Sequence, residues 1–122
     1  MWDRRAQVED AHDGDTLRVR LDQGFGDTKT LNLRLYETFA PELKQPGGSE
    51  THQFVLDWLN EHNPDGDAWP FVVTTIRTRA DKEAQTLGRY VGILHDVEGN
   101  CLNDDVNDFV ARKGYVHGIG SK

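Results

Sequence analysis

The sequence predicts an α+β domain: a small, partly open five-stranded β-barrel with two helices packed against it. Three strand-like segments come first, followed by a helical segment, two more strand-like segments and a second helical segment. The chain has no internal repeat and no strand–helix–strand alternation, which argues against a parallel sheet. Its 122 residues suit one domain, spanning 1–122, with a single hydrophobic core.

The first three strands are predicted from the alternation of apolar and polar residues. Residues 1–12 carry a weak strand pattern, and the Asp13-Gly14 dipeptide after them is typical of a two-residue hairpin. The glycines of GFGDTK indicate a second turn. The apolar residues that alternate with polar neighbours, and that we expect to face the core, are Leu17, Val19, Leu21, Leu31, Leu33 and Leu35.

Two segments have the periodicity of amphipathic helices. Residues 49–62 predict the first helix, with Ser49 as its N-cap and an apolar stripe on one face. The NPDGD stretch that follows ends this helix. Residues 102–113 predict the second helix, and Gly114 is its C-terminal stop.

The last two strands lie between these helices. The β-branched run WPFVVTTIRTR predicts one strand and RYVGILHDVEGN predicts the other, with the polar loop ADKEAQTLG between them. Five strands and two helices in this order are typical of the OB architecture, a barrel whose face and loops often bind oligonucleotides.

Composition and charge exclude several classes of protein. The chain has 14 basic and 21 acidic residues and a net charge of −7, which argues against a protein that coats nucleic acid through many Lys and Arg contacts. No apolar run approaches the ~20 residues needed to span a bilayer, so we expect no membrane partner. The N-terminus lacks the apolar stretch of a signal peptide, and the single Cys101 excludes an internal disulfide. Both observations favour a cytoplasmic protein.

Several side chains have chemistry suited to a phosphodiester. Asp13 and Asp15 flank the hairpin glycine, Arg34 lies on the polar face of its strand, Glu42 sits in the next loop, and Arg89 opens a later strand. A guanidinium binds phosphate through two hydrogen bonds, and a loop carboxylate can take a proton from water. Each residue alone also has a plain structural explanation, because Asp-Gly is common in turns and isolated charges are usually solvated.

Taken together and in this order, these motifs resemble the thermonuclease (staphylococcal nuclease-like) family. The resemblance extends over roughly residues 8–115. Its motifs are D-G-D-T at 13–16, R-L-Y at 34–36, A-P-E at 40–42, L-G-R-Y at 87–90 and the helix LNDDVNDFVARKG. The resemblance implies an OB-like barrel and Ca²⁺-dependent hydrolysis of phosphodiester bonds in DNA or RNA that leaves 3′-phosphates.

The resemblance also implies a metal site, and this chain departs from the family there. It places metal ligands at the Asp15 carboxylate and the Ala40 backbone carbonyl, with Asp13 close to the metal. Phe39 occupies the slot in which the family usually has a second metal carboxylate. Because a phenyl ring cannot bind Ca²⁺, we expect the metal site to be weakened or absent.

Catalytic roles are assigned to three residues and a substrate-binding role to a fourth. Arg34 and Arg89 are the phosphate-binding arginines, Glu42 is the catalytic carboxylate that acts on the attacking water, and Tyr90 is assigned to substrate binding. We therefore expect a metal-dependent nuclease with a modified metal site. The alternative, favoured by Phe39 and the net charge of −7, is a catalytically weak or inactive module that binds nucleic acid or a protein partner.

Overall fold

The computed structural model describes residues 3–76 and 89–115 and shows a five-stranded barrel with two helices packed against it. The predicted OB-like fold class is confirmed. The barrel is closed rather than partly open, because the fourth strand pairs with both the first and the fifth. The elements are β1 (Asp3–Asp13), β2 (Thr16–Gly24), β3 (Asp27–Leu35), α1 (Gly48–Glu61), β4 (Phe71–Thr75), β5 (Arg89–Asp96) and α2 (Leu102–Lys113). The polar loop predicted over 80–88 lies outside the described residues.

Strands β1, β2 and β3 form an antiparallel meander joined by two tight turns. The first turn contains Gly14, as predicted, and the second contains Phe25 and Gly26. The predicted alternation in β2 and β3 is confirmed. The apolar side chains that point into the barrel are Leu17, Val19, Leu21, Leu31, Leu33 and Leu35, and none is more than 6% exposed.

Closure of the barrel depends on a parallel pair of strands that the sequence did not predict. Strand β3 runs parallel to β5, with Arg34 opposite Val91 and Leu35 opposite Gly92. Gly92 has no room for a side chain, because a Cβ there would lie 2.6 Å from the carbonyl oxygen of Thr74 in β4. The C-terminal end of β3 is thus paired with β5, a strand from the second half of the chain.

Helix α1 begins at Gly48 rather than after Ser49, so the predicted N-cap is wrong. The N-cap is Gly47, which has φ 86° in the left-handed region, where glycine carries no Cβ penalty. Gly48 packs directly on the backbone carbonyl of Glu42, so a side chain there would collide with this loop. The predicted apolar stripe of α1 faces the core, where Val55 and Trp58 are buried.

Helix α2 ends as the sequence predicts, at Gly114 in the left-handed conformation. Its buried apolar residues are Leu102, Val106 and Val110, and Phe109 stacks on Phe54 of α1 with ring centroids 4.5 Å apart. No helix in the described ranges is both long and apolar enough to cross a membrane.

Candidate active site

A cleft of about 510 Å³ opens beside the β1–β2 turn, at the end of the barrel where β3 finishes. Five of the predicted site residues line it, which are Asp13, Asp15, Arg34, Ala40 and Glu42. Five further residues complete the described lining, which are Asp10, His12, Thr16, Arg18 and Asn32. Residues from the β1–β2 hairpin, from β3 and from the loop that follows β3 thus meet in one cavity.

Asp15 is the buried carboxylate of this cleft, with 7% of its surface exposed. One carboxylate oxygen accepts a hydrogen bond from the Thr16 hydroxyl at 3.2 Å. The other lies 3.4 Å from the Ala40 amide nitrogen and 3.7 Å from Nη1 of Arg34. The backbone carbonyl of Asp15 accepts from the Leu35 amide at 2.9 Å, so the residue is fixed at both its backbone and its side chain.

The charge balance around Asp15 is unfavourable to its ionised form. Burial raises the pKa of Asp15 to about 6, aided by a hydrogen bond to Asp13 and by the like charge of that carboxylate. Arg34 and the Ala40 amide lower the pKa but do not cancel these effects. Two carboxylates held close together with an incomplete countercharge are a frequent property of functional sites, where a bound cation or substrate completes the balance.

Arg34 connects the buried carboxylate to the open part of the cleft. Its side chain is 27% exposed, and its guanidinium carbon lies 6.0 Å from the centroid of the Phe39 ring. A guanidinium above an aromatic face is favourable, because the ring carries negative charge density there. One end of the Arg34 group therefore contacts Asp15 while its remaining donors are available to a ligand in the cleft.

Ala40 is held in place by close packing around the hairpin glycine. A Cβ at Gly14 would lie 2.6 Å from both the Ala40 Cβ and Cγ2 of Thr51 on α1. The helix, the hairpin turn and the loop after β3 can approach this closely only because residue 14 has no side chain. This contact keeps the Ala40 amide within reach of the Asp15 carboxylate.

Glu42 is exposed, but the backbone that carries it is well ordered by hydrogen bonds. Its amide donates to Oε1 of Gln45 at 2.8 Å, and its carbonyl accepts from the Gln45 amide at 2.9 Å. The Gly48 amide in turn donates to the Gln45 carbonyl at 2.9 Å. The start of α1 thus fixes the backbone of Glu42, an exposed residue that lines the cleft.

The structure gives partial information on the two predicted residues of β5. The backbone of Arg89 pairs with Asn32, which lines the cleft, but the Arg89 side chain lies outside the described part of the chain. Tyr90 is not among the described lining residues. Its hydroxyl accepts a hydrogen bond from Nζ of Lys29 at 2.8 Å, near the beginning of β3. The substrate-binding roles of both residues stay predictions.

Two asparagines of α2 fix the chain between β3 and Ala40, and sequence reasoning missed both. Asn103 donates to the carbonyls of Tyr36 and Gly92, each at 3.1 Å. Asn107, one helical turn later, donates to the Glu37 carbonyl at 2.8 Å and accepts from the Phe39 amide at 3.3 Å. Amide side chains on the apolar side of a predicted helix were the signal that could have identified them.

The donor set of the cleft suits a hard cation only if water and substrate complete the coordination. No cluster of three or more His, Cys, Asp or Glu side chains with metal-binding geometry occurs among residues 3–76 and 89–115. Asp13, Asp15 and Ala40 line the cleft and contain oxygen atoms, and the pKa of Asp15 is raised mainly by burial and further by the nearby Asp13. Hard cations accept waters and phosphate oxygens alongside a few protein oxygens.

No protein-family model matches the chain, and no curated protein matches it. The membership of the thermonuclease family inferred from short motifs therefore stays a prediction. The geometry of the cleft carries the functional argument that follows.

Proposed function

We propose that this protein hydrolyses phosphodiester bonds of DNA or RNA in the cleft between Asp15, Arg34 and Glu42. The observation that carries the proposal is the Arg34 guanidinium 3.7 Å from the buried Asp15, in a cavity whose rim bears the exposed Glu42. A cation-assisted phosphoryl transfer needs these three groups: a carboxylate for a metal, a phosphate clamp and a base.

Arg34 is suited to hold the scissile phosphate. Asp15 fixes one side of the guanidinium, and the Phe39 ring packs near it, so fewer rotamers must be lost when phosphate binds. Charge on the equatorial phosphate oxygens grows as the water oxygen bonds to phosphorus, and the pre-positioned donors of Arg34 stabilise that charge. Arg89 is the second arginine that we propose for this role.

Glu42 is suited to act on the attacking water. Water attacks phosphorus and forms a new P–O bond, and its proton passes to the Glu42 carboxylate. The bond from phosphorus to the 5′ oxygen breaks, and the leaving 5′ oxygen takes a proton from solvent water to become a hydroxyl. An exposed carboxylate on a rigid loop can accept that proton and release it to solvent. Asp15, Asp13 and the Ala40 carbonyl would hold Ca²⁺, which supplies positive charge beside the phosphate.

A binding module without catalytic activity is the second candidate. Phe39 favours it, because an aromatic ring near Arg34 stands where the resemblance expects a metal-binding carboxylate. Such a module would still hold phosphate through Arg34 and would bind oligonucleotides in a salt-dependent manner.

A cleavage assay separates the two candidates. Single-stranded DNA and RNA are incubated with the protein in Ca²⁺ or in EDTA, beside Glu42→Gln, Arg34→Gln and the control Glu61→Gln, an exposed residue at the end of α1. We expect cleavage that EDTA abolishes, that Glu61→Gln retains, and that each site variant lowers by about 10²–10³-fold. Binding without cleavage at any Ca²⁺ concentration would reject hydrolysis and favour the module.

A further inference from the structure

We infer that Arg18 and Asn32 form a second phosphate and nucleotide subsite, so that the cleft takes a strand of several nucleotides rather than one isolated phosphodiester. This inference rests on the proposed function for the role of Arg34. Both residues line the cleft, yet neither contributes to the Asp15–Arg34–Glu42 group described above.

The strand register places this pair one step beyond the reaction centre. On the outer face of the sheet, Thr16 lies opposite Arg34, and two residues further along β2 Arg18 lies opposite Asn32. The cleft therefore covers two successive rows of side chains across β2 and β3. A β-bulge between Val8 and Asp10 brings β1 to the same row, where Asp10 is opposite Arg18.

The separation of the two rows suits a nucleic acid backbone. Arg18 and Arg34 are diagonal neighbours on adjacent antiparallel strands, and such pairs lie about 7–8 Å apart. Neighbouring phosphates of an extended single strand have a similar separation. A strand whose scissile phosphate contacts Arg34 would therefore bring its next phosphate to Arg18.

Arg18 can exchange its present partner for a phosphate. Its Nε lies 3.6 Å from Oε1 of Glu9, and 57% of its side chain is exposed. An exposed ion pair of this kind contributes little to stability, so its replacement by a two-point contact with phosphate is favourable. Asn32 is partly buried beside it and offers both a donor and an acceptor to a sugar or base edge.

Arg20 is a matched control for Arg18. It is the next outward residue of β2, it is similarly exposed at 45%, and its Nε lies 4.0 Å from the same Glu9 carboxylate. Arg20 does not line the cleft as described. Any effect of general positive charge or of the Glu9 ion pair should appear equally in both variants.

The test is a length series of single-stranded DNA. A dinucleotide, which has one internucleotide phosphate, and a trinucleotide, which has two, are titrated in Ca²⁺ against Glu42→Gln protein, so that cleavage is suppressed. The trinucleotide should bind more tightly than the dinucleotide. Arg18→Gln and Asn32→Ala should abolish this gain, whereas Arg20→Gln should retain it. In Arg18→Gln the affinity for the trinucleotide should fall by about tenfold. With longer strands, log affinity falls as log salt concentration rises, and Arg18→Gln should make this slope less steep by about 0.7.

Each outcome is decisive. Equal losses in Arg18→Gln and Arg20→Gln, or a length gain that survives Arg18→Gln, would overturn the subsite. These binding results do not depend on catalysis. If the wild-type protein fails to cut but the length gain depends on Arg18, hydrolysis is rejected and the subsite stands. If the protein cuts and Arg18→Gln has no effect on the length dependence of binding, the subsite is rejected and hydrolysis stands.

Discussion

The guanidinium carbon of Arg34 lies 6.0 Å from the centroid of the Phe39 ring. The same guanidinium approaches the Asp15 carboxylate to 3.7 Å, so Arg34 interacts with both side chains. The Phe39 side chain is thus positioned beside the arginine that we assign to phosphate binding.

Replacement of Phe39 by Asp should strengthen Ca²⁺ binding. The new carboxylate would add an oxygen ligand near Asp15, and we expect the Kd for Ca²⁺ to fall by about tenfold. Isothermal titration in the absence of substrate measures the change, and Phe39→Leu is the control that removes the ring without adding charge. Equal Ca²⁺ affinities in the Asp and Leu variants would show that residue 39 does not face the metal.

Replacement of Asp15 by Asn should stabilise the protein in EDTA at neutral and higher pH. The pKa of Asp15 rises from 3.8 to about 6 on folding, so the ionised carboxylate costs about 3 kcal/mol above pH 6. This cost decreases as the pH falls from 6 towards 3.8 and vanishes below that. Thermal unfolding of both proteins at pH 8 and at pH 4 measures the effect.

The effect of Ca²⁺ on the melting temperature is a second test of the role of Asp15. Added Ca²⁺ should raise the melting temperature of the wild-type protein and leave that of Asp15→Asn unchanged, because a ligand stabilises only the state that binds it. A gain in stability at pH 4 as large as that at pH 8 would contradict the assignment of the cost to the Asp15 charge.

We expect Asn103 of α2 to contribute mainly to stability and Asn107 mainly to activity. Asn103 is 4% exposed, and its loss removes the hydrogen bonds that it makes to the Tyr36 carbonyl and the Leu94 amide and one of the two that the Gly92 carbonyl accepts. Asn103→Ala should therefore lower the free energy of unfolding by about 2–4 kcal/mol. Urea denaturation provides the measurement.

Asn107→Ala should mainly affect turnover. Its bonds to Glu37 and Phe39 lie nearer the surface, so we expect a stability loss of about 1 kcal/mol or less. The loop that carries Ala40 would be less well positioned, and kcat should fall by about tenfold with little change in KM. The exposed neighbour Asp108, changed to Asn, is the control, and an unchanged kcat in Asn107→Ala would remove its positioning role.

Asp96 should make stability depend on pH in the acid range. Burial alone would raise the pKa of Asp96, but hydrogen bonds from the Asn100 side chain and from the Asn100 and Glu98 amides lower it below 3.8. A lowered folded-state pKa means that the stabilisation is complete above the unfolded pKa and is lost as the pH falls through the folded value.

The variant Asp96→Asn tests this dependence. It should be less stable than the wild type by about 1–3 kcal/mol at pH 7, and the difference should shrink below about pH 4. Urea unfolding at pH 7, 5 and 3 measures it, with the exposed Asp65→Asn as a control. A difference that stays constant down to pH 3 would contradict the hydrogen-bonded carboxylate as its source.

The meander of three strands could be predicted because its signals are local. Leu17, Val19 and Leu21 alternate with charged residues, and the adjacent turn carries Asp13-Gly14. The parallel pairing of β3 with β5 could not be predicted, because it joins segments more than 50 residues apart, and Gly92 in the sequence does not indicate which strands pack against it.

The sequence did not predict that Asp10 of β1 lines the cleft. Two bulges, between Val8 and Asp10 and between Ala11 and Asp13, break the alternation of this strand, so its pattern looked weak and its inward and outward residues could not be assigned. Asp10 therefore went unnoticed. For β2 and β3 the turn alone would have given the wrong register, because an irregularity between Asp22 and Gly24 shifts the pairing by one residue and so places Arg18 opposite Asn32.

Closure of the barrel through β3 and β5 also sets the order in which this cleft is assembled during folding. The meander of β1 to β3 needs only short loops to close and can form early, whereas the β3–β5 seam requires the closure of a long loop and should form late. Asn103 bridges that seam at Tyr36 and Gly92. A chain that has folded only its first half would thus display Arg34 on a hairpin, but the segment from Tyr36 to Phe39 would gain its place only when the last strand and helix arrive.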